Sequence, residues 1–350
     1  MSNWNLREVM AAMGDAVLMK AGLTPDSPHP MAEQLAERTL AQLAEYAGEM
    51  TIAEQGRRPS SERAVMALGL SRADFGMMLG ESFRHLASQR FSEFSDHLPL
   101  CAALPVRDFN DVEFPDVMAE QNLQLIPESG KYRSSSVVNY GAVKAGLKTY
   151  GHVIHISREL VVSDDLQLVN NLFAQFGASA ARVENRLVFE ALEANPNLQD
   201  SAPLFHADLA NITVDPLSSA SLAKGTSLLR KQPLLRGEPA NNKARFLVVS
   251  PELELTAKGL NKEQDAGLEV IASPYIKDGR WYLMADPEIS PVIHRMILQP
   301  GTGSVDPKRS PVDVDPAPKD IAYDGLRMKV RADIGPAITG RIGIIRGGEA

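Results

Sequence analysis

Residues Ser163 to Pro196 read SDDLQLVNNLFAQFGASAARVENRLVFEALEANP, and the phase of this run decides the fold. Leu166, Val169, Leu172, Phe173, Phe176, Ala180, Val183, Leu187 and Ala191 recur at steps of three and four. That period predicts an amphipathic helix over 164–195. Ser163 stands at the N-cap position, and Asp164 and Asp165 put negative charge on the positive end of the helix. Asn195-Pro196 stops it, because proline cannot continue a helical ladder. Asn170, Gln175, Arg182, Glu184 and Arg186 fall on the other face, so one side is expected to be solvated. About thirty residues at about 1.5 Å each make a rod of roughly 45 Å, longer than an average globular helix.

The segment after this helix, APLFHADL at 202–209, holds the candidate chemistry. His206 and Asp208 are two apart, which places both on one side of an extended chain. They suit a base and its orienter, two metal ligands, or two residues that tie down a loop. No third group nearby in sequence completes a catalytic or metal site. His152 and His155 straddle a strand and point to opposite faces, so they cannot share a metal. Gly130-Lys131 lacks the Ser or Thr and the earlier glycine of a phosphate loop, and neither HExxH nor GxSxG occurs. Cys101 is the only cysteine, which excludes a disulfide framework and a cysteine-rich zinc site and reads as a small buried apolar residue. Arg230, Lys231, Arg236, Lys243 and Arg245 form a loosely basic stretch that reads as a solvated loop, with a subunit or DNA contact as the other reading.

Upstream of the long helix the chain turns strand-like. From about Val112 to Ile156 it alternates around a Pro-Glu-Ser-Gly break, with Val143, Ala145 and Leu147 on one side and Lys144 and Lys148 on the other. This predicts a two-stranded ribbon. An isolated ribbon is marginal in water, so its support is expected from neighbouring subunits.

The N-terminus predicts short helices. Leu6, Val9, Met10, Met13 and Val17 form one stripe that stops at Gly22. Pro30 opens a second helix carrying Leu35, Leu40, Leu43 and Ala47, and a third covers 62–68. Ser71 and Asp74 have capping-box-like spacing ahead of Phe75, Met78, Leu79, Phe83 and Leu86. The segment 206–290 predicts an α/β region: a helix around Leu222, Leu228 and Leu229, the strand ARFLVVS, a helix from Ser250-Pro251 to about Gly259, then LEVIAS and WYLMAD. Residues 299–319 read as a Pro- and Gly-rich loop, and Asp324-Gly325 as a tight hairpin turn before two closing strands.

The chain has 350 residues, a formal net charge of -8 and 44% apolar residues, an ordinary composition for a soluble globular protein. That charge does not favour non-specific attraction to nucleic acid. No run approaches the roughly 20 apolar residues of a membrane span. A soluble, cytosolic product with no membrane association is expected.

The order of helical arm, helix, β ribbon, long helix, α/β insertion and closing β-strands resembles the major capsid protein of tailed bacteriophages, the Hong Kong 97 fold. The similar subgroup is the one associated with, or fused to, a prohead protease. The resemblance rests on SRADFGMMLGESF, YGHVIHISRELVVSDDL, ASAARVENRLVFEALEANP, LFHADLANI, FLVVSPELE and DGLRMKVRADIG, across about 72–350. It implies an α+β chain with an N-terminal helical arm at 1–71, the start of a peripheral domain at 72–110 and an extended loop at 111–150. It further implies a peripheral domain with the spine helix at 151–205, an axial domain at 206–290 and closing strands of the peripheral domain at 291–350.

The function implied is structural. Many copies, as hexamers and pentamers, form an icosahedral head around double-stranded DNA that is contacted non-specifically. A portal and decoration or scaffolding proteins are implied partners. The virion is the location, with assembly in the host bacterial cytoplasm. No cofactor, metal or catalytic residue is implied, and the FHAD loop carries no chemistry. Lys131, Lys144 and Lys148 lie on the ribbon where a cross-linking lysine would sit. Relatives often carry a protease or a cleaved scaffolding segment upstream, whereas this chain has a short arm that is expected to be retained. An encapsulin-like nanocompartment shell is the alternative, and a hydrolase using His206 and Asp208 the remote one.

Overall fold

The computed structural model describes residues 6–25, 27–54, 65, 73–118, 138–157, 159–160, 163, 166–234, 238–299, 306–317 and 325–348. Seven helices are labelled here: α1 Leu6–Lys20, α2 Ala32–Ala36, α3 Leu40–Glu54, α4 Ala73–Glu93, α5 Leu166–Glu193, α6 Ser219–Lys231 and α7 Glu254–Glu263. The strands are β1 Cys101–Val106, β2 Val112–Met118, β3 Val138–Ala145, β4 Lys148–Ser157, β5 Ala244–Val249 and β6 Glu269–Ala272. They continue with β7 Trp281–Ala285, β8 Ile293–Leu298, β9 Val312–Pro316, β10 Gly325–Ile334, β11 Pro336–Ile338 and β12 Ile344–Gly347. The chain divides into two compact units, with residues 1–94, 149–182 and 310–333 in one and 95–148, 183–309 and 334–350 in the other.

The first unit is built from the N-terminal helices and one small sheet. Val9, Met10, Met13 and Val17 are buried on α1 as their spacing predicts. The helix ends where Gly22 takes φ +82°, a left-handed value that glycine adopts without a steric penalty. The helix expected from Pro30 is two helices. Thr39 Oγ1 accepts the Gln42 N–H at 3.1 Å, and Gln42 Oε1 accepts the Thr39 N–H at 2.9 Å. This reciprocal cap satisfies backbone donors at a new N-terminus, so α3 starts afresh at Leu40. The expected helix at 62–68 lies outside the described residues except for Val65, and so do Ser71 and Asp324 with the turns assigned to them. The side chain of Asp74 is likewise outside the description. Phe75, Met78, Leu79, Phe83 and Leu86 are all buried on α4.

The sheet of this unit has the order β4-β10-β9. β9 lies inside 299–319, which the sequence presents as a loop. Its valines explain the difference: Val312 and Val314 are buried, and the strand pairs antiparallel with β10 from Val312↔Ala332 to Pro316↔Met328. Two alternating valines between prolines are too short a pattern to register as a strand in sequence.

The long helix is present, but its buried line differs from the expected one. The buried positions on α5 are Val169, Asn170, Phe173, Gly177, Ala178, Ala180, Ala181, Glu184, Asn185, Val188, Phe189 and Leu192. The line is turned by about one residue from the stripe of large apolar side chains, and Leu172, Phe176, Val183, Leu187 and Ala191 are only half-buried. Asn170 and Glu184, expected on the solvated face, are inside. Small residues set this phase. A Cβ at Gly177 would lie 1.9 Å from the Ala87 carbonyl oxygen, so α5 and α4 approach at a distance only glycine allows. Phe173 stacks on Phe83 one turn away, with ring centroids 4.0 Å apart. Ser163 is not seen capping α5; its hydroxyl donates back to the Glu159 carbonyl at 2.7 Å. Asp164 and Asp165 lie outside the described residues. At the other end Asn195 takes φ 50°, the left-handed conformation that terminates a helix before Pro196.

The second unit holds a three-stranded sheet of order β1-β8-β11, a four-stranded sheet of order β12-β7-β5-β6, and the pair β2-β3. The four-stranded sheet is covered on both faces, which is why ARFLVV reads as continuously apolar. Phe246, Val248, Tyr282, Met284 and Ile344 face Val188, Phe189, Leu192, Leu204 and Phe205. Leu247, Val249, Trp281, Leu283 and Ile345 face Leu222, Leu229 and Ala257 from α6 and α7. Helix α7 runs to Glu263, past the expected stop at Gly259. The segment 291–350 is spread over three sheets: β8 and β11 join β1, β9 and β10 join β4, and β12 completes the β5–β7 sheet.

Candidate functional site

The APLFHADL segment is held by two asparagine side chains. Asn195 accepts the Phe205 N–H at 2.7 Å and donates to the Phe205 carbonyl at 3.1 Å, pairing like one rung of a sheet. Asn211 donates to the Leu204 carbonyl at 2.6 Å and accepts the His206 N–H at 3.0 Å. Leu204 and Phe205 are thereby pressed into the core. His206 and Asp208 point outward. His206 Nδ1 accepts the Asp208 backbone N–H at 3.2 Å and caps the single turn Ala207–Leu209. Asp208 Oδ2 lies 3.4 Å from that nitrogen with its side chain 89% exposed. A carboxylate so open to water neither orients a base firmly nor gains strength from a dry surround. Among the described residues no three His, Cys, Asp or Glu side chains converge to hold a metal ion.

The other sequence candidates are dispersed. His152 and His155 are both exposed on β4. Cys101 is buried, and burial pushes its thiol pKa well up, so no thiolate is available as a nucleophile. Arg245 pairs with Asp286 and lies over the Phe246 ring, whereas Lys243 is exposed. Lys144 is exposed and paired at 2.8 Å with Glu113 across the ribbon, and Lys148 is exposed. Gly130, Lys131 and Arg236 lie outside the described residues.

A buried polar cluster in the second unit had no signature in the sequence. Arg295 on β8 grips Glu184 on α5 with both ends of its guanidinium, Nε to Oε1 at 2.6 Å and Nη2 to Oε2 at 3.1 Å. His97 approaches the same carboxylate, Nε2 to Oε2 at 3.4 Å. The His97 backbone N–H and ring Nδ1 both meet Asn185 Oδ1, at 3.1 and 2.5 Å. That oxygen is an acceptor for the amide, so Nδ1 carries its proton. Burial pushes the Glu184 carboxyl up, but the neighbouring His97 and the Arg295 guanidinium outweigh it and hold the group below its ordinary value. The cluster joins the start of β1, the end of α5 and β8. It has no access to a substrate, since His97 and Glu184 are 0% and 2% exposed at their side chains.

The ribbon β2-β3 pairs antiparallel from Val112↔Ala145 to Met118↔Val138, with a bulge between Pro115 and Val117. Its base is anchored on its own chain. Val112, Phe114 and Ala145 pack with Leu104 and Leu298 around Val106, Leu147 and Met296. Gln199 Nε2 donates to the Phe114 carbonyl, and the Phe114 ring meets His294. The expectation that support comes from neighbouring subunits therefore fails for the base. Elsewhere in this unit lies a groove of about 680 Å³ lined by Leu198, Leu234, Ile289, Pro291 and Ile342 among others. Its buried Gln232 is fully engaged, donating to the Arg341 and Ile344 carbonyls and accepting the Gly343 N–H. Of its other polar lining groups, Ser290 accepts from Asn242 at 3.0 Å and Arg341 is paired with Asp200.

What remains is a chain with a long arm, a long helix and no assembled catalytic site among the described residues. The family model of phage capsid proteins matches residues 141–347. The chain belongs to the phage capsid protein family. The matched range takes in α5, the FHAD segment and the whole of the β4-β10-β9 and β12-β7-β5-β6 sheets of the phage capsid protein. No curated protein matches the chain. Among solved structures, the capsid protein is similar to a virus-like particle from Pyrococcus furiosus, at 11% identity and a TM-score of 0.49 over 77% of this chain and 98% of that one. It is similar to an encapsulin complex from Synechococcus elongatus, at 11% identity and a TM-score of 0.47 over 71% and 85%. It is also similar to the capsid of a cyanophage, P-SCSP1u, at 10% identity and a TM-score of 0.46 over 72% and 86%. The role of a phage capsid protein is structural: its copies build a multimeric shell in the virion.

Proposed function

We propose that this chain is the major subunit of a tailed-phage head, assembling as hexamers and pentamers into a closed icosahedral shell around double-stranded DNA. The observation that carries the reading is the family match over 141–347. The ribbon supports it. A paired arm anchored at its base on its own subunit is suited to reach a neighbour. In this reading 111–150 is the extended loop, α5 is the spine helix of a peripheral domain, about 206–290 is the axial domain, and 1–71 is an N-terminal arm. The shell forms in the bacterial cytoplasm with a portal and scaffolding or decoration proteins, and meets the genome non-specifically. An encapsulin-like compartment would share the architecture but enclose an enzyme. Light scattering on a size-exclusion column, followed by electron microscopy, tests the proposal. Large closed particles are expected, and a stable monomer at physiological salt would sink it. Recovery of particles around a cargo enzyme would instead select the compartment.

A further inference from the structure

Arg346 stands where β12 calls for an apolar side chain. Its neighbour on the same face, Ile344, is fully buried, and its cross-strand partner is Tyr282. Only 7% of Arg346 is exposed. Its stem follows the core, with the guanidinium carbon 5.0 Å from the centre of the Phe205 ring. Its Nε is buried with no hydrogen-bond partner among the described residues. The nearby carboxylate is already used. Glu193, at the end of α5, pairs with Arg280 through Oε2 and accepts the Tyr282 hydroxyl at 2.7 Å through Oε1. Among the described residues no carboxylate is hydrogen-bonded to Arg346. A buried cation without a hydrogen-bonded counter-ion is costly, and burial lowers the Arg346 pKa accordingly.

We propose that Arg346 is an anion site that receives a carboxylate from a second copy of this chain when subunits assemble. The inference rests on the reading of the chain as a self-assembling shell subunit. A guanidinium fork takes a carboxylate in two parallel hydrogen bonds, and one such group balances the Arg346 charge. Supply favours this source. The chain carries 44 Asp and Glu against 36 Lys and Arg, so each copy brings surplus carboxylates to its neighbours. The cation–π contact with Phe205 holds the fork in place before a partner arrives, which reduces the ordering cost of binding.

Cryo-electron microscopy of the wild-type particle tests the site directly. An Asp or Glu of a neighbouring subunit is expected at about 3 Å from the Arg346 guanidinium. A guanidinium facing only solvent, or a phosphate of packaged nucleic acid, would overturn the proposal. Arg346→Met keeps the stem on Phe205 and removes the charge. Its free subunit should melt no lower than wild type, yet need about tenfold more protein for half-assembly, the loss of one charge-assisted contact. Arg346→Lys should fall between the two. Assembly of Arg346→Met at the wild-type concentration would refute the site, and if this variant fails to fold the microscopy decides. Failure of the wild type to form any particle would count against the shell reading instead.

Discussion

Glu184 is a charged residue on the most buried line of the longest helix. Sequence reading places it with Arg182 and Arg186 on the solvated face, because acidic side chains are rarely buried unless paired. The pairing comes from Arg295, 111 residues away in sequence, and no local spacing announces it. Apolar positions such as Phe83 and Val248 were legible one by one, since burying each needs no partner. Removing one member of a buried pair strands the other, so Glu184→Gln is expected to cost about 3–5 kcal/mol at neutral pH. The acid limb should change as well. Glu184 and Asp200 both have carboxyl groups held below their ordinary values, Asp200 at about 2 by its hydrogen bond to Arg341. A depressed carboxyl contributes stability above its unfolded pKa and loses it as pH falls through the folded one. The wild-type subunit should therefore lose stability from about pH 4.5 downward, and Glu184→Gln should show a shallower loss. Urea melts between about pH 7 and about pH 3 would measure both; a steeper acid limb in the variant would contradict the assignment.

The elements themselves were largely legible, and their phases and breaks less so. Amphipathic periodicity located α1, α4 and α5, and the apolar runs located β5 and β7. The Thr39-x-x-Gln42 cap was present in the letters but masked by the continuous Leu35, Leu40, Leu43 stripe. On α5 the large side chains pointed to Phe173 and Phe176 alike, whereas the close approach at Gly177 turns the helix so that Phe173 is buried and Phe176 only half-buried. Phe173→Ala should cost about 3–5 kcal/mol, and Phe176→Ala clearly less, because Phe176 is only half-buried. Equal midpoints in denaturant would show that the helix has the other phase. For the ribbon, segments 112–118 and 138–145 should exchange amide hydrogens slowly even in dissociated subunits, since their base is packed on their own chain. Rapid exchange there, lost only on assembly, would return the support to the neighbours.

At the scale of the whole chain, the order of elements identified the family while the division into units stayed hidden. Strand partners far apart in sequence decide it: β1 lies parallel to β8, and β12 closes a sheet begun by β5. Such pairings cannot be read from spacing. β12 carries Ile344 and Ile345, both fully buried on opposite faces. A chain ending at Gly340 should leave the β5–β7 sheet open and give aggregated protein, readable as loss of the soluble fraction against full-length controls. Soluble, cooperatively melting protein from that truncation would mean β12 is dispensable.

The threading of the two units also sets when the subunit can fold during its synthesis. One unit waits for β10 and the other for β12, which ends at Gly347. On the ribosome both remain incomplete until the closing strands have emerged, so the N-terminal helices and the ribbon are made long before their partners. Each unit then completes its fold through slow long-range pairing once its closing strand is available. Chaperone demand should accordingly peak around the emergence of β10 and β12 rather than while the earlier elements are made.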